Sequence, residues 1–270
     1  MHVERRVTTS PVSHSIDAET GIATIRFERP EVLNAIDAAA ARALRVAAET
    51  VAADLRTRVV VLSGAGRAFM AGGDVASFAA AGDAVAGEIH TILDAVHPAI
   101  LALRTCPAPV VALVRGAAAG AGFALALAAD VVIAEEKSTF LTAYDRLGTT
   151  PDCGTTWFLE RKIGRTRAFE MMLTGRRLSA REALDLGIVT EVVADGMLET
   201  RGGEVVAQIA SGPTRAFGRF KALIDAAPTR GLADQLEAER AAFVAATETT
   251  DFREGVAAFL AKRPPTFTGK

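Results

Sequence analysis

Two short apolar segments, each followed directly by a run of small residues, constrain the fold more than any other feature. Val59–Leu62 precedes GAGRAFMAGGD (64–74), and Val110–Val114 precedes GAAAGAG (116–122). Wholly apolar runs of this length, rich in β-branched residues, are typical of strands buried on both faces of a parallel sheet. Small residues after a strand let the backbone approach a ligand and expose N–H groups. The pattern therefore predicts an α/β protein with two backbone loops that could face one ligand.

The remaining chain alternates strand and helix patterns first and becomes mostly helical later. Strands are predicted at Val12–Asp17, Ile22–Phe27, Val131–Ala134 and Val189–Val193, and a mixed loop is predicted from Arg67 to about Gly87. Helices are predicted at Ala38–Leu55 (with Asp37 as N-cap), Glu88–Leu103, Phe123–Ala129, Thr155–Lys162, Arg165–Leu173, Ala180–Leu186, Gly196–Ala210, Thr214–Ala226, Leu232–Ala246 and Phe252–Ala261. We therefore expect an α/β core over residues 1–200, built from β–β–α turns, and a helical region over 201–270.

Composition excludes several classes of protein. With 270 residues and 50% hydrophobic residues, the chain can bury one large core, and its net charge of -2 argues against a nucleic-acid partner. Its apolar stretches are too short or too interrupted to span a membrane, and the first ten residues lack a secretory h-region. The two cysteines, Cys106 and Cys153, suggest neither a disulfide framework nor a metal site. We expect a cytoplasmic protein without membrane, nucleic-acid or metal partners.

The two glycine-rich loops have a direct chemical use. Two loops after parallel strands, one of them opening a helix, could point two N–H groups at one oxygen, as an oxyanion hole requires. Close packing of helix on strand is the simpler alternative. Gly116, Gly120 and Gly122 also match a dinucleotide-binding pattern, but that pattern lies mid-chain here, and Tyr144 lacks the lysine four residues later that would complete a Tyr-x-x-x-Lys dyad.

Four ordered motifs resemble the enoyl-CoA hydratase/isomerase (crotonase) superfamily over nearly the whole chain. They are RPEVLNAI (29–36), AFMAGGD (68–74), the run from Pro109 to Asp130, and EGVAAFLAKRPP (254–265). The resemblance implies a crotonase-like spiral of ββα units with a helical C-terminal trimerisation region, and a homotrimer or dimer of trimers. It implies an acyl-CoA substrate and no cofactor beyond the CoA thioester that the substrate carries.

The resemblance also assigns site residues. It implies that the backbone N–H groups of Gly73 and Ala121 form the oxyanion hole, although Ala121 replaces a more usual glycine. The residues that it implies for CoA binding are Arg29, Val32, Ala71, Gly73, Asp74, Val75 and Lys262.

The acid–base residues depart from the family's hydratases, which use two glutamates to activate water and protonate carbon. The matching positions here are Ala124 and Tyr144. Asp152 instead lies in GTTPDCGTTW (148–157), which looks like the PDxGGT segment of the family's isomerases, with Thr155 in place of the second glycine. There the aspartate moves a proton along the acyl chain, and an apolar pocket would make such a carboxylate more basic by desolvation.

Several alternatives remain open around Asp152. It could only cap the helix that follows. His97, Tyr144 and Asp152 also match the spacing of the histidine, aromatic residue and nucleophilic aspartate of 4-chlorobenzoyl-CoA dehalogenase, although His97 could simply pack on its helix and Tyr144 could line the acyl pocket. Cys153 is expected to pack rather than react. The leading expectation is an enoyl-CoA isomerase; hydration, dehalogenation, thioester hydrolysis and a non-catalytic CoA-binding protein are the alternatives.

Overall fold

The computed structural model describes residues 10–270, and its architecture is α/β. The strands of the described chain are β1 (Val12–Ile16), β2 (Ile22–Phe27), β3 (Val59–Gly64), β4 (Val110–Val114), β5 (Ala117–Ala119), β6 (Val131–Glu135), β7 (Thr139–Leu141), β8 (Leu178–Ser179) and β9 (Glu191–Val193). The main sheet has the order β1-β2-β3-β4-β6-β9 and is parallel except for the β1–β2 hairpin. A second sheet has the order β5-β7-β8.

Helices surround the main sheet and make up most of the chain after residue 195. They are α1 (Ala38–Ala53), α2 (Val75–Ala81), α3 (Val85–Thr105), α4 (Ala121–Ala128), α5 (Thr155–Ile163), α6 (Arg165–Thr174), α7 (Ala180–Asp185), α8 (Leu198–Ala210), α9 (Thr214–Ala226), α10 (Leu232–Ala246) and α11 (Thr250–Leu260). The α/β core and the helical C-terminal region are thus confirmed. The division at residue 200 stays a prediction; α8 crosses that position. No helix within residues 10–270 is both long and apolar enough to cross a membrane.

The strands of the main sheet are buried on both faces, and alternate residues belong to two different packing layers. Val60 and Leu62 of β3 join the large core that α1 and α3 cover, whereas Val59 and Val61 join a smaller cluster with Val206 of α8. This explains why the strand sequence is continuously apolar instead of alternating with polar residues.

Local sequence signals decide where the first helices begin. The Asp37 carboxylate accepts a hydrogen bond from the Ala40 N–H at 2.8 Å, which confirms the predicted N-cap of α1. The predicted loop from Arg67 to Gly87 is wrong in part, because Asp74 caps the short helix α2 and α3 already begins at Val85. The small-residue run after β4 also contains a strand, β5, which three alanines do not reveal by periodicity.

Asn34 fastens the first glycine-rich loop to the segment before α1. The side chain is 2% exposed, and its Nδ2 donates to the carbonyl oxygens of Ala65, Ala68 and Phe69 at 2.9, 2.8 and 3.2 Å. Its Oδ1 accepts from the Arg29 N–H at 3.0 Å. The φ angle of Asn34 is 59°, in the left-handed region that asparagine tolerates better than most residues. One amide therefore satisfies backbone groups of both segments.

We predict that Asn34→Ala lowers the free energy of unfolding by about 2–4 kcal/mol, because buried carbonyls lose their donor. Asn34→Asp should be at least as damaging, since a carboxylate cannot donate. Urea unfolding followed by circular dichroism measures both. Ser13→Ala is the control, because the Ser13 hydroxyl makes only an exposed hydrogen bond to Glu28. An Asn34→Ala protein as stable as the Ser13→Ala protein would contradict this role.

Candidate active site

The two glycine-rich loops are joined by a parallel β-bridge between Met70 and Ala118. The Ala119 N–H donates to the Met70 carbonyl at 2.9 Å, and the Met70 N–H donates to the Ala117 carbonyl at 3.1 Å. The loops approach so closely that a Cβ on Gly122 would overlap the Met70 carbonyl oxygen. The small residues after the two strands are therefore needed for this contact.

Gly73 presents its N–H away from the neighbouring backbone. Ile36 pairs with the residues on either side of it, donating its N–H to the Gly72 carbonyl at 2.8 Å and accepting from the Asp74 N–H at 2.9 Å. In a parallel bridge of this kind the N–H of the middle residue points to the opposite side. Among the protein groups of residues 10–270, the Gly73 N–H has no acceptor.

Ala121 offers the second donor because it is the first residue of α4. The first N–H groups of a helix have no partner within the helix and lie at the positive end of its dipole. Gly72 and Gly120 bring the two donor segments together, since a Cβ on Gly72 would stand 3.5 Å from the Gly120 Cα. The arrangement can polarise one carbonyl oxygen; the oxyanion hole at Gly73 and Ala121 stays a prediction.

Arg29 and Asp74, both predicted to line the CoA groove, are bonded to each other. The Arg29 Nη2 lies 3.1 Å from the Asp74 Oδ2 and 3.0 Å from an Asp37 carboxylate oxygen, and Nη1 donates to the Ala35 carbonyl at 2.6 Å. Arg29 thereby ties the starts of α1 and α2 together. In this structure its guanidinium is occupied by protein acceptors.

The other predicted CoA-binding residues fall in two places. Val32 lies in a short 3-10 turn, the Ala71 N–H donates to the Leu33 carbonyl at 3.0 Å, and Val75 is the exposed first residue of α2. These residues border the Gly73 loop. Lys262 is exposed just beyond α11, and no polar contact within the described residues connects its side chain to that loop. CoA binding by these residues stays a prediction.

The Asp152 carboxylate does not cap the helix that follows it. Gly154 occupies the N-cap position of α5, with no side-chain cap bond, whereas Asp152 contributes its backbone carbonyl to the Thr155 N–H. The carboxylate accepts instead from the Cys153 N–H. Its side chain is 36% exposed, so within this chain it does not lie in the apolar pocket expected from the sequence. The carboxylate is free for another partner.

That partner is His97 of α3, which precedes Asp152 by 55 residues. The His97 Nε2 lies 2.8 Å from the Asp152 Oδ1, and the histidine side chain is 50% exposed. Tyr144 also contacts this residue, with its hydroxyl 3.4 Å from the Asp152 carbonyl oxygen. The structure thus brings together the three residues that the sequence connected only through spacing. Their chemical roles stay predictions.

Burial makes two neighbouring groups resist ionisation. It raises the pKa of the Tyr144 hydroxyl to about 12, with a further contribution from Cys153, and it raises the pKa of the Cys153 thiol to about 12, with a further contribution from Asp152. Both groups therefore stay protonated at neutral pH, and Cys153 is poorly suited to act as a thiolate nucleophile. Ala124, which matches one hydratase glutamate, is fully buried in α4.

A concavity of about 590 Å³ lies elsewhere, between α5 and α9. Asp130 lines this concavity and accepts hydrogen bonds from the Arg104 Nη1 at 2.7 Å and from the Val110 N–H at 2.8 Å. The Lys221 Nζ lies 2.9 Å from the same carboxylate. None of the predicted site residues lines this concavity. These contacts stabilise the turn between α4 and β6, so Asp130 has a structural role here.

Comparisons with known proteins identify the family. The family model for enoyl-CoA hydratase/isomerase matches residues 17–270. A Rhodobacter capsulatus protein named "Probable enoyl-CoA hydratase" is 42% identical over 251 residues, which cover 93% of this chain and 95% of the relative. The 1,2-epoxyphenylacetyl-CoA isomerase of Escherichia coli is 39% identical over 253 residues, which cover 93% and 97%. An enoyl-CoA hydratase structure from Polaromonas sp. JS666 matches with a TM-score of 0.88 and 33% identity, covering 95% of this chain and 99% of that one.

The chain therefore belongs to the enoyl-CoA hydratase/isomerase family and has the crotonase fold. It is an acyl-CoA enzyme of that family. The names of its relatives include both a hydratase and an isomerase, so the reaction has to be inferred from this chain's own residues.

We predict that tyrosinate absorbance appears only near pH 12 in the native protein and near pH 10 after denaturation. Tyr144 is the only tyrosine, so an alkaline absorbance titration reports it alone. Because its pKa is raised in the folded state, the corresponding stability is present below pH 10 and is lost as the pH rises towards 12. Tyr144→Phe should remove the signal. A native midpoint near pH 10 would mean that the hydroxyl is exposed to water.

Proposed function

We propose that this protein is an enoyl-CoA isomerase that moves a carbon–carbon double bond within the acyl chain. Asp152 is the proton carrier, and the N–H groups of Gly73 and Ala121 hold the thioester oxygen. The proposal depends chiefly on one observation: the Asp152 carboxylate is unused by its helix and is oriented by His97 at 2.8 Å.

The reaction needs one base that later acts as an acid. With a 3-enoyl-CoA, Asp152 removes a proton from C2, the electrons move into a dienolate, and negative charge develops on the thioester oxygen. The two backbone donors stabilise that charge. Protonated Asp152 then delivers the same proton to C4, the electron pair returns, and the double bond lies between C2 and C3. Substrate and product therefore have the same atoms, and no water is consumed.

The residues at the two hydratase positions favour isomerisation over hydration. Ala124 offers no ionisable group, and the Tyr144 hydroxyl is kept protonated by burial, so neither can deprotonate water. Asp152 alone supports a reaction with one acid–base group. The E. coli relative is by its name an isomerase of 1,2-epoxyphenylacetyl-CoA, a CoA thioester whose acyl group carries a ring epoxide. We extend the proposal to acyl groups that carry a ring as well as to plain chains.

Hydrolytic dehalogenation is the second candidate, and the contact between His97 and Asp152 is the observation that favours it. In that reaction Asp152 would attack a halogen-bearing aryl carbon and expel halide. His97 would then activate water to hydrolyse the resulting ester. The two reactions use His97 differently. Dehalogenation needs it as a base that activates water, whereas isomerisation needs it only to orient the Asp152 carboxylate. His97→Gln should therefore retain more isomerase than dehalogenase activity.

We further propose that the protein assembles as a homotrimer or a dimer of trimers through residues 201–270. Large apolar side chains on these helices are exposed in the single chain; they include Phe220, Leu232, Leu236, Phe243 and Phe259. Exposed apolar area of this extent is typical of an interface. Lys262 follows the same helices, so we propose that its part in CoA binding depends on this assembly.

We predict that Asp152→Asn lowers kcat for 3-enoyl-CoA isomerisation about 10²–10⁴-fold, because the amide cannot accept the proton. Absorbance of the conjugated thioester product, together with an unchanged product mass, measures the reaction. Asp145→Asn is the control, since Asp145 is an exposed carboxylate seven residues earlier in the chain. It should keep wild-type activity.

Two outcomes of this assay would overturn the isomerase proposal. Full activity in Asp152→Asn would remove Asp152 as the proton carrier. A product heavier by one water would show hydration by a route that uses neither Ala124 nor Tyr144. Halide release from a 4-halobenzoyl-CoA, without isomerisation, would support the second candidate instead.

We predict that Gly73→Pro lowers kcat/KM about 10²–10³-fold, because proline removes the backbone N–H. Gly73→Ala is the matched control, since it keeps that N–H. Both substitutions place a Cβ beside the Phe78 ring, which would stand 2.6 Å away before it moves. Steady-state kinetics of the two variants separates the effects. Equal losses would attribute the role of Gly73 to packing alone.

A further inference from the structure

We infer that Thr155 is a positioning residue, which holds the Asp152 backbone so that its carboxylate meets His97 and the substrate. The inference rests on the proposed function, in which Asp152 carries the proton. Thr155 stands where the isomerase-like motif has its second glycine, so the sequence alone showed it only as a departure from the motif.

Thr155 binds the Asp152 carbonyl twice. Its N–H donates to that oxygen at 3.0 Å, and its Oγ1 hydroxyl donates to the same oxygen at 2.7 Å. The residue is 1% exposed, so the hydroxyl has no access to water as an alternative partner. A hydroxyl that is both buried and bonded to a fixed carbonyl restricts the peptide on which that carbonyl lies.

The turn between these two residues needs such a restraint. Cys153 and Gly154 have φ angles of 56° and 77°, so two consecutive residues lie in the left-handed region. For cysteine this conformation carries a steric cost and persists only where the surroundings enforce it. The Thr155 hydroxyl closes the turn from its far end. Without it, the peptide between Asp152 and Cys153 keeps only the longer hydrogen bonds from the Thr155 N–H at 3.0 Å and the Tyr144 hydroxyl at 3.4 Å.

The Asp152 side chain depends on this peptide more than a buried carboxylate would. It is 36% exposed, and its partners within the described residues are the Cys153 N–H and His97. The Cys153 N–H belongs to the same peptide that Thr155 restrains. Rotation of that peptide would shift a carboxylate hydrogen bond and the His97 contact together.

The Tyr144 hydroxyl is a third donor to the same oxygen. It donates to the Asp152 carbonyl at 3.4 Å. The carbonyl is therefore surrounded by two hydroxyls and one N–H. A glycine at position 155 would keep the N–H and lose the stronger of the hydroxyl contacts.

The first test compares Thr155→Val with Thr155→Ser and with a matched control. Valine has the shape of threonine but no hydroxyl, and serine restores the hydroxyl. Thr57→Val is the control, because Thr57 is 6% exposed and its hydroxyl donates to the Val51 carbonyl at 2.8 Å, at the end of α1 away from the site. We expect Thr155→Val to lower kcat about tenfold, with KM changed less than about twofold, because misplacement of an acid–base group affects the chemical step. Thr155→Ser should recover most of the loss, and Thr57→Val should retain wild-type kinetics.

The second test reads the His97 contact without using the reaction. Diethyl pyrocarbonate modifies the neutral imidazole, and peptide mass spectrometry gives the rate for each histidine. We expect faster modification of His97 in Thr155→Val, because its Nε2 is no longer held against the carboxylate. His14 and His90, both exposed, are internal references and should keep their rates.

Unchanged kcat and unchanged His97 labelling in Thr155→Val, with thermal stability reduced as in Thr57→Val, would overturn the inference and leave a structural role. If Thr155→Val does not fold, Thr155→Ala is judged by the same two measurements. Failure of the proposed function looks different: Asp152→Asn would then retain isomerisation, while the labelling test would still show whether Thr155 holds the His97 contact.

Discussion

The β-bridge between Met70 and Ala118 is the interaction on which the candidate site depends. It joins two loops whose bridged residues are 48 positions apart in sequence, and it does so through backbone hydrogen bonds at 2.9 and 3.1 Å. Because β3 and β4 are parallel neighbours, their following loops leave the sheet at the same edge. The bridge turns that proximity into a fixed geometry. Gly73 and the start of α4 then present their N–H groups from a framework that neither loop could form alone.

The two parts of the candidate site consist of different chemical groups: backbone N–H groups in one part and a side-chain carboxylate in the other. The donors proposed for the thioester oxygen are backbone groups, so substitution of most side chains leaves them in place. The acid–base group that we propose is a single carboxylate beside a turn with two left-handed residues; His97 contacts that carboxylate, and Thr155 donates to the backbone carbonyl of the same residue. In the proposed mechanism, polarisation of the thioester carbonyl therefore depends on the fold, whereas proton transfer depends on a few side chains. Alanine and tyrosine at positions 124 and 144 bear on the proposed proton transfer, since neither is the glutamate of the family's hydratases.

The sequence predicted secondary structure correctly where the signal lay within a few neighbouring residues. Buried strands such as β3 and β4 are continuous apolar runs, and Asp37 marks the start of α1 by its capping preference. The sequence did not predict β5, because three residues are too few to show a hydrophobic periodicity. It also did not predict α2, because its N-cap residue, Asp74, was assigned to CoA binding. The approach of His97 to Asp152 depends on the tertiary packing of α3, because the two residues are 55 positions apart in the chain, and only resemblance to a known spacing suggested it.

Thr155 shows why a departure from a motif should be evaluated by its contacts. A glycine in the isomerase-like segment permits a tight turn, so a larger residue there first suggests a weakened site. In this chain Gly154 and Cys153 already supply the left-handed conformations, and position 155 is the first residue of α5, where the helical backbone does not require glycine. The hydroxyl added there meets a carbonyl that would otherwise have fewer partners. Relative to glycine, threonine therefore gives up conformational freedom that the turn does not need at this position, and it adds the restraint on the Asp152 peptide that we propose for the proton carrier.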